Sequence, residues 1–142
     1  MTNATKIKLN HLFIDLMKQL DSINDGITTF ESRFNMPYFL DTYTDIVISH
    51  QWENPLNYAY LDALYLNYPL VHNANMIKES GYYYNEFDVK QGKKQLLKSL
   101  IEHDNNIEEY NERSQKTLDR FLPTNEQSID TYDKLIKKLL SK

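Results

Sequence analysis

A chain of 142 residues, 41% of them apolar, has the material for one packed domain, and that composition excludes wholesale disorder. It contains no cysteine, which excludes disulfides, thiolate nucleophiles and cysteine-based zinc sites together. A net charge of −4 argues against nucleic acid as a partner held by a general positive field, and no apolar run approaches the ~20 residues that cross a bilayer. Met1-Thr2-Asn3-Ala4-Thr5-Lys6 offers no apolar leader, so a cytoplasmic chain with no membrane span is expected.

Along the chain, Asn10 is placed to cap a first helix with an apolar stripe of Leu12, Phe13, Leu16, Met17 and Leu20. Asp25-Gly26 marks a turn, and the β-branched run Ile27-Thr28-Thr29-Phe30 reads as a short strand. Asn35-Met36-Pro37 signals a helix start, with the helix running to about Tyr43. Asp45-Ile46-Val47-Ile48-Ser49 has the continuous apolar centre of a parallel strand covered on both faces. Asn54-Pro55 opens the next helix, to about Leu66; Asn67 ends it in a left-handed conformation, and Pro69-Leu70-Val71-His72 returns as a strand. After a tyrosine-rich loop, Ser80–Tyr84, come three amphipathic helices. Their stripes (Leu96, Leu97, Leu100, Ile101; then Ile107, Tyr110, Ser114, Leu118, Phe121; then Ile129, Tyr132, Leu135, Ile136, Leu139) read as core-facing. Lys134, Lys137, Lys138 and Lys142 then form a solvated face rather than a phosphate patch. The expected fold is α/β, a parallel sheet of about three strands with a helical C-terminal section.

Ligands of open parallel sheets bind beyond the carboxyl ends of the strands, against the helix starts that follow. Here that edge is His50-Gln51-Trp52-Glu53-Asn54-Pro55-Leu56-Asn57. Free backbone N–H groups at a helix start suit a phosphate, whereas a carboxylate such as Glu53 suits hydroxyl groups better. Plainer roles compete at each position. Glu53 complements the helix dipole, Trp52 and Tyr82–Tyr84 pack, and His50 or His72 bonds a neighbouring loop. His11 and His103 look like ordinary helix residues. The histidines lack metal-ligand spacing, and no Asp-x-Asp pair or nucleophile elbow is present.

The stretch Ser49–Asn73 resembles part of the C-terminal domain of GT-B-fold glycosyltransferases, the large retaining group above all. Ser49 matches a Ser after the strand, Asp62-Ala63 a Glu-Ala pair on the helix, and Asn67-Tyr68-Pro69-Leu70-Val71 a Gly-x-Pro-Val turn. The chain is more similar still to a family of uncharacterised glycosyltransferase-like proteins. That likeness runs through Ser49–Asn57, Tyr68–Asn73 and Gly81–Tyr84, and more diffusely to the C-terminus. The resemblance implies a partial Rossmann-like domain, the later part of a nucleotide-sugar-binding domain without its N-terminal acceptor domain. It implies a donor site in which Asp62 takes the ribose hydroxyls and the amides of Asn54–Asn57 the diphosphate, with His50 and Glu53 alongside. Two departures stand out. Asn54 occupies the place of the first acidic residue, with Glu53 one position earlier, and Arg33 is the one basic residue at a strand end able to replace the usual Arg/Lys clamp. The expected function is binding of a nucleotide sugar as substrate, with no cofactor and no catalytic residue assigned in this chain alone. The competing expectation is a non-catalytic interaction module, acting as a homodimer or with a separate N-terminal half.

Overall fold

The computed structural model describes residues 11–31 and 34–141. Asn10, the opening Met1–Lys6 and Arg33 lie outside the described residues. The chain divides into two compact units, one reaching Tyr38 and the other Phe39–Lys142.

The first unit contains α1 (His11–Met17) and α2 (Asp21–Asn24). Gly26 takes φ +70 in the expected turn, and the N–H groups of Ile27 and Thr28 both donate to the Ser22 carbonyl, each at 2.9 Å. Phe13 meets Phe30 edge to face, with ring centroids 5.8 Å apart. The expected strand at Ile27–Phe30 does not form: among the described residues no segment pairs with it. β-propensity becomes a strand only against a partner.

α3 (Met36–Tyr43) starts as read: the Asn35 side chain accepts from the Tyr38 N–H at 3.1 Å, with Pro37 in the first turn. Beyond it the second unit builds a three-stranded parallel sheet from β1 (Val47–Ser49), β2 (Leu70–His72) and β3 (Tyr82–Tyr83), in that order. Val47 stands opposite Leu70, Ser49 opposite His72, and His72 opposite Tyr83. α4 (Tyr58–Tyr65) connects β1 to β2, and a single 3₁₀ turn, Asn75–Ile77, leads toward β3.

The α4 helix begins later than Asn54-Pro55 suggests. Asn57 is its cap, accepting from the Ala59 N–H at 3.0 Å, so residues 51–56 form a loop. Its far end matches the sequence reading closely. Asn67 sits at φ +59 while the N–H groups of Tyr68 and Asn67 donate back to Ala63 and Leu64. This is the Schellman arrangement that a left-handed residue permits.

Successive side chains of a strand face opposite ways. On β2, His72 turns toward Tyr60 of α4, while Val71 shares a groove with Gly92 and Leu96 of α5 (Val89–Glu102). β2 is therefore covered on both sides and all three of its residues are buried. α6 (Ile107–Asp119) packs against α4. From it, the buried Tyr110 hydroxyl donates to the Tyr68 carbonyl at 2.7 Å and accepts from the Leu70 N–H at 3.2 Å. Burial raises the pKa of this phenol, keeping it a donor. The core is Leu40, Tyr60, Ala63, Leu64, Leu70, Ile77, Tyr82, Tyr84 and Tyr110, around the polar pair Ser80–Thr117, whose hydroxyls are 2.6 Å apart.

Three expectations of burial need correction. β1 is not covered on both faces, since Ile48 is 61% exposed. Of the α5 stripe only Leu96 is partly buried; Leu97, Leu100 and Ile101 face outward. The whole apolar stripe of α7 (Glu126–Leu140) is exposed. Amphipathic periodicity shows which face a helix can bury, and coverage of that face depends on what lies opposite. Among the described residues no helix is long and apolar enough to cross a membrane.

Candidate functional site

Where β1, β2 and β3 end, their following loops converge on Asn73. Its side-chain oxygen accepts from the Gln51 N–H at 3.0 Å, and its amide nitrogen donates to the carbonyls of Gln51 (2.9 Å) and Glu86 (2.8 Å). One side chain thus joins the loop after β1 to the loop after β3. The joined loops frame a polar cleft of about 410 Å³, lined by Gln51, Glu53, Asn54, Asn73, Asn85 and Glu86, with Phe87 at its side. Both glutamates have positive φ, +46 at Glu53 and +45 at Glu86. That conformation costs a non-glycine residue about 1–2 kcal/mol. The Asn54 side-chain amide donates to the Gln51 side chain.

An aromatic chain borders the cleft. Trp52, largely exposed, stacks on Phe87 with centroids 5.1 Å apart; Phe87 meets the edge of His50 at 5.0 Å, and His50 lies parallel to Tyr84 at 5.8 Å. The Tyr84 hydroxyl donates its one proton to the Ser49 carbonyl at 3.1 Å. The 2.7 Å contact between His50 Nδ1 and that hydroxyl therefore has the imidazole N–H as donor. Burial raises the pKa of Tyr84 and of Tyr60, the latter partly offset by its 2.6 Å bond to the Ser49 hydroxyl. Both phenols stay neutral. On the other side of His50 lies an apolar groove of about 360 Å³, walled by Ile48, Val71, Tyr84, Val89 and Leu96, with Lys93 beside it.

Beneath the cleft His72 is fully buried. Its Nδ1 accepts from the Ala74 N–H at 3.1 Å, so Nε2–H donates to the Ser80 carbonyl at 2.9 Å. Desolvation lowers its pKa against the opposing effect of that carbonyl, and it is a neutral structural support.

The residues singled out in the sequence divide accordingly. Glu53 and Asn54 line the cleft, whereas His50 lines the apolar groove and touches the cleft only through Phe87. Asn57 spends its side-chain oxygen on capping α4. Asp62, half-buried on α4, lines neither the cleft nor the groove, and Arg33 lies outside the described residues. The sequence reading missed Asn75, Asn85, Glu86 and Phe87. For Asn85, Glu86 and Phe87 the one available signal was a position just after a strand, and β3 is too short to announce itself; Asn75 follows β2 at the start of a 3₁₀ turn that no sequence signal marks. Among the described residues lining the cleft there are two carboxylates and no Lys or Arg. The described residues also include no group of three or more His, Asp or Glu side chains able to hold a metal ion.

Comparison with known proteins adds one relationship. No curated protein and no solved structure matches the chain. One family matches residues 1–136, nearly the full length, and the chain belongs to that family, described as a protein of unknown function (DUF2827).

Proposed function

We propose that the polar cleft holds the sugar portion of a nucleotide-sugar donor, and that this chain is the donor-binding part of a glycosyltransferase-like protein of partial Rossmann-like, GT-B-related fold. The observation carrying this reading is the gathering of Glu53, Asn54, Asn73, Asn85 and Glu86 around one cleft at the carboxyl ends of three parallel strands. Carboxylates and amides bond well to hydroxyls, and the Trp52–Phe87 pair offers an apolar face beside them. The cleft favours a hydroxyl-rich group over a diphosphate, which two carboxylates without a cation would repel. The chain's part is binding and orientation, with no bond-making step assigned to it.

Ligand-observed NMR against UDP, GDP, ADP and their common sugar conjugates tests this reading. One conjugate is expected to bind saturably and more tightly than its free nucleotide. Glu53→Asn keeps a residue tolerant of positive φ, removes the carboxylate, and is expected to weaken binding about tenfold with unchanged melting, the scale of one hydrogen bond to a charged group. Equal affinity in that variant rejects the assignment. Asp62→Ala, tested alongside, decides whether the ribose role implied by the resemblance holds.

A second reading, a non-catalytic interaction module, draws on the uncovered apolar side chains of β1, α5 and α7. Its partner is a second copy or a separately encoded N-terminal half.

A further inference from the structure

The outward faces of α5 and α6 differ in kind. After Ile107 the exposed side chains of α6 are acids, bases and amides, the mixture of an ordinary solvated face. Those of α5 are either aliphatic (Val89, Leu97, Leu100, Ile101) or lysine (Lys90, Lys93, Lys94, Lys98), with Glu102 the one acid. The two kinds interleave. Leu97 lies three or four residues from Lys93, Lys94 and Ile101, its neighbours on the helix surface. Val89 and Lys93 also border the apolar groove beside the exposed Ile48, so this surface continues onto β1.

The helix by itself does not satisfy these lysines. Glu102 reaches Lys98 at 3.8 Å, and among the described residues Lys90, Lys93 and Lys94 have no acidic partner. Lys90, Lys94 and Lys98 follow one another at intervals of four, where like charges repel. Lys90 stands in a first turn that holds no acid, against the helix dipole. Negative charge supplied from outside relieves both conflicts. A second copy on the same face would instead set lysine against lysine. The face has no arginine fork and no aromatic anchor, the groups that hold a particular peptide. Its aliphatic side chains are spread among the charges rather than gathered in one socket. An extended negative layer over an apolar one suits that arrangement best.

We propose that α5 lies flat on an anionic lipid surface, its lysines among the headgroups and Val89, Leu97, Leu100 and Ile101 at the acyl boundary. The chain rests on the bilayer without crossing it. Its net charge of −4 opposes this only weakly, because exposed charges more than about 10 Å away are screened. The proposal goes beyond the donor-site reading and uses no residue of the polar cleft.

Co-sedimentation of the whole chain with vesicles tests this. Pelleting is expected with phosphatidylcholine vesicles containing about one-third phosphatidylserine, to weaken as salt rises, and to be absent with phosphatidylcholine alone. The double variant Lys93→Gln, Lys94→Gln is expected to bind about thirtyfold more weakly, and Leu97→Gln about tenfold. All three side chains are exposed, so both variants should melt as the parent does. No pelleting with the anionic vesicles overturns the proposal, as does equal pelleting with the neutral ones. An equal loss from Lys134→Gln with Lys137→Gln, on α7, would reduce the effect to net charge and overturn the role of α5. Binding to soluble polyglutamate but not to vesicles would hand the face to an acidic protein and overturn the lipid assignment.

Discussion

β1 and β2 read alike in the sequence, each a short apolar run entering a loop, and β1 is the one that reads as covered on both faces. In the fold they differ. Leu70, Val71 and His72 are all buried, whereas Val47 and Ser49 are half-buried and Ile48 stands open. The cause lies far along the chain. β3 pairs with β2, α5 packs on both, and Tyr110, forty residues after Leu70, satisfies the Leu70 N–H. Among the described residues β1 pairs on one side only, and Ile48 stays open at the edge of the groove beside α5. Strand identity is thus a local property of these segments, and burial is conferred by residues that arrive later.

Three substitutions or titrations set the two strands against each other. The largest effect belongs to Gly81→Ala. Gly81 has φ +63, and an added Cβ would lie 2.6 Å from the Leu70 carbonyl oxygen and 2.9 Å from the His72 ring. Backbone strain and overpacking together are expected to cost about 3 kcal/mol or more in denaturant unfolding. A loss below about 1 kcal/mol would mean that β2 is looser than its burial implies.

A smaller effect comes from His72, whose folded pKa is lowered from 6.5, chiefly by burial. On acidification the unfolded chain takes up this proton first. The stability tied to His72 is therefore whole above pH 6.5 and declines as the pH falls toward the lower folded value. Each pH unit in that window removes up to about 1.4 kcal/mol. Unfolding curves should record this slope, and His72→Gln, which keeps a donor for the Ser80 carbonyl, should flatten it. An unchanged slope in the variant would assign the acid sensitivity elsewhere.

The smallest effect is expected at β1, where Ile48→Thr should shift stability by no more than about 0.5 kcal/mol. A loss above about 1.5 kcal/mol in that variant would show that a partner or a second copy covers β1 in solution.

Much of the local structure was legible because local chemistry decides it. Asn35 caps α3 before Pro37, Asn67 closes α4 in the left-handed region, and β1 and β2 carry apolar runs between turn residues. Reading failed where a distant partner decides. Ile27–Phe30 has strand residues and, among the described residues, no strand to join, and β3 exists through its pairing with β2 rather than through any pattern of its own. The candidate site followed the same division. Glu53 and Asn54 could be found from the loop after β1, but Asn85 and Glu86 reach the cleft because Asn73 holds the Glu86 carbonyl. The start of α4 was misplaced because Asn57, three residues after Asn54, is the side chain that bonds into the helix.

The Asn73 side chain has a consequence for motion. A loop tied at one end opens by itself, but these two loops share one fastener whose three hydrogen bonds are made together. Lifting the loop after β1 breaks two of the three bonds and leaves the Asn73 side chain held by the Glu86 carbonyl alone, so opening one wall loosens the anchor of the other. The two walls of the cleft are coupled in opening through one side chain.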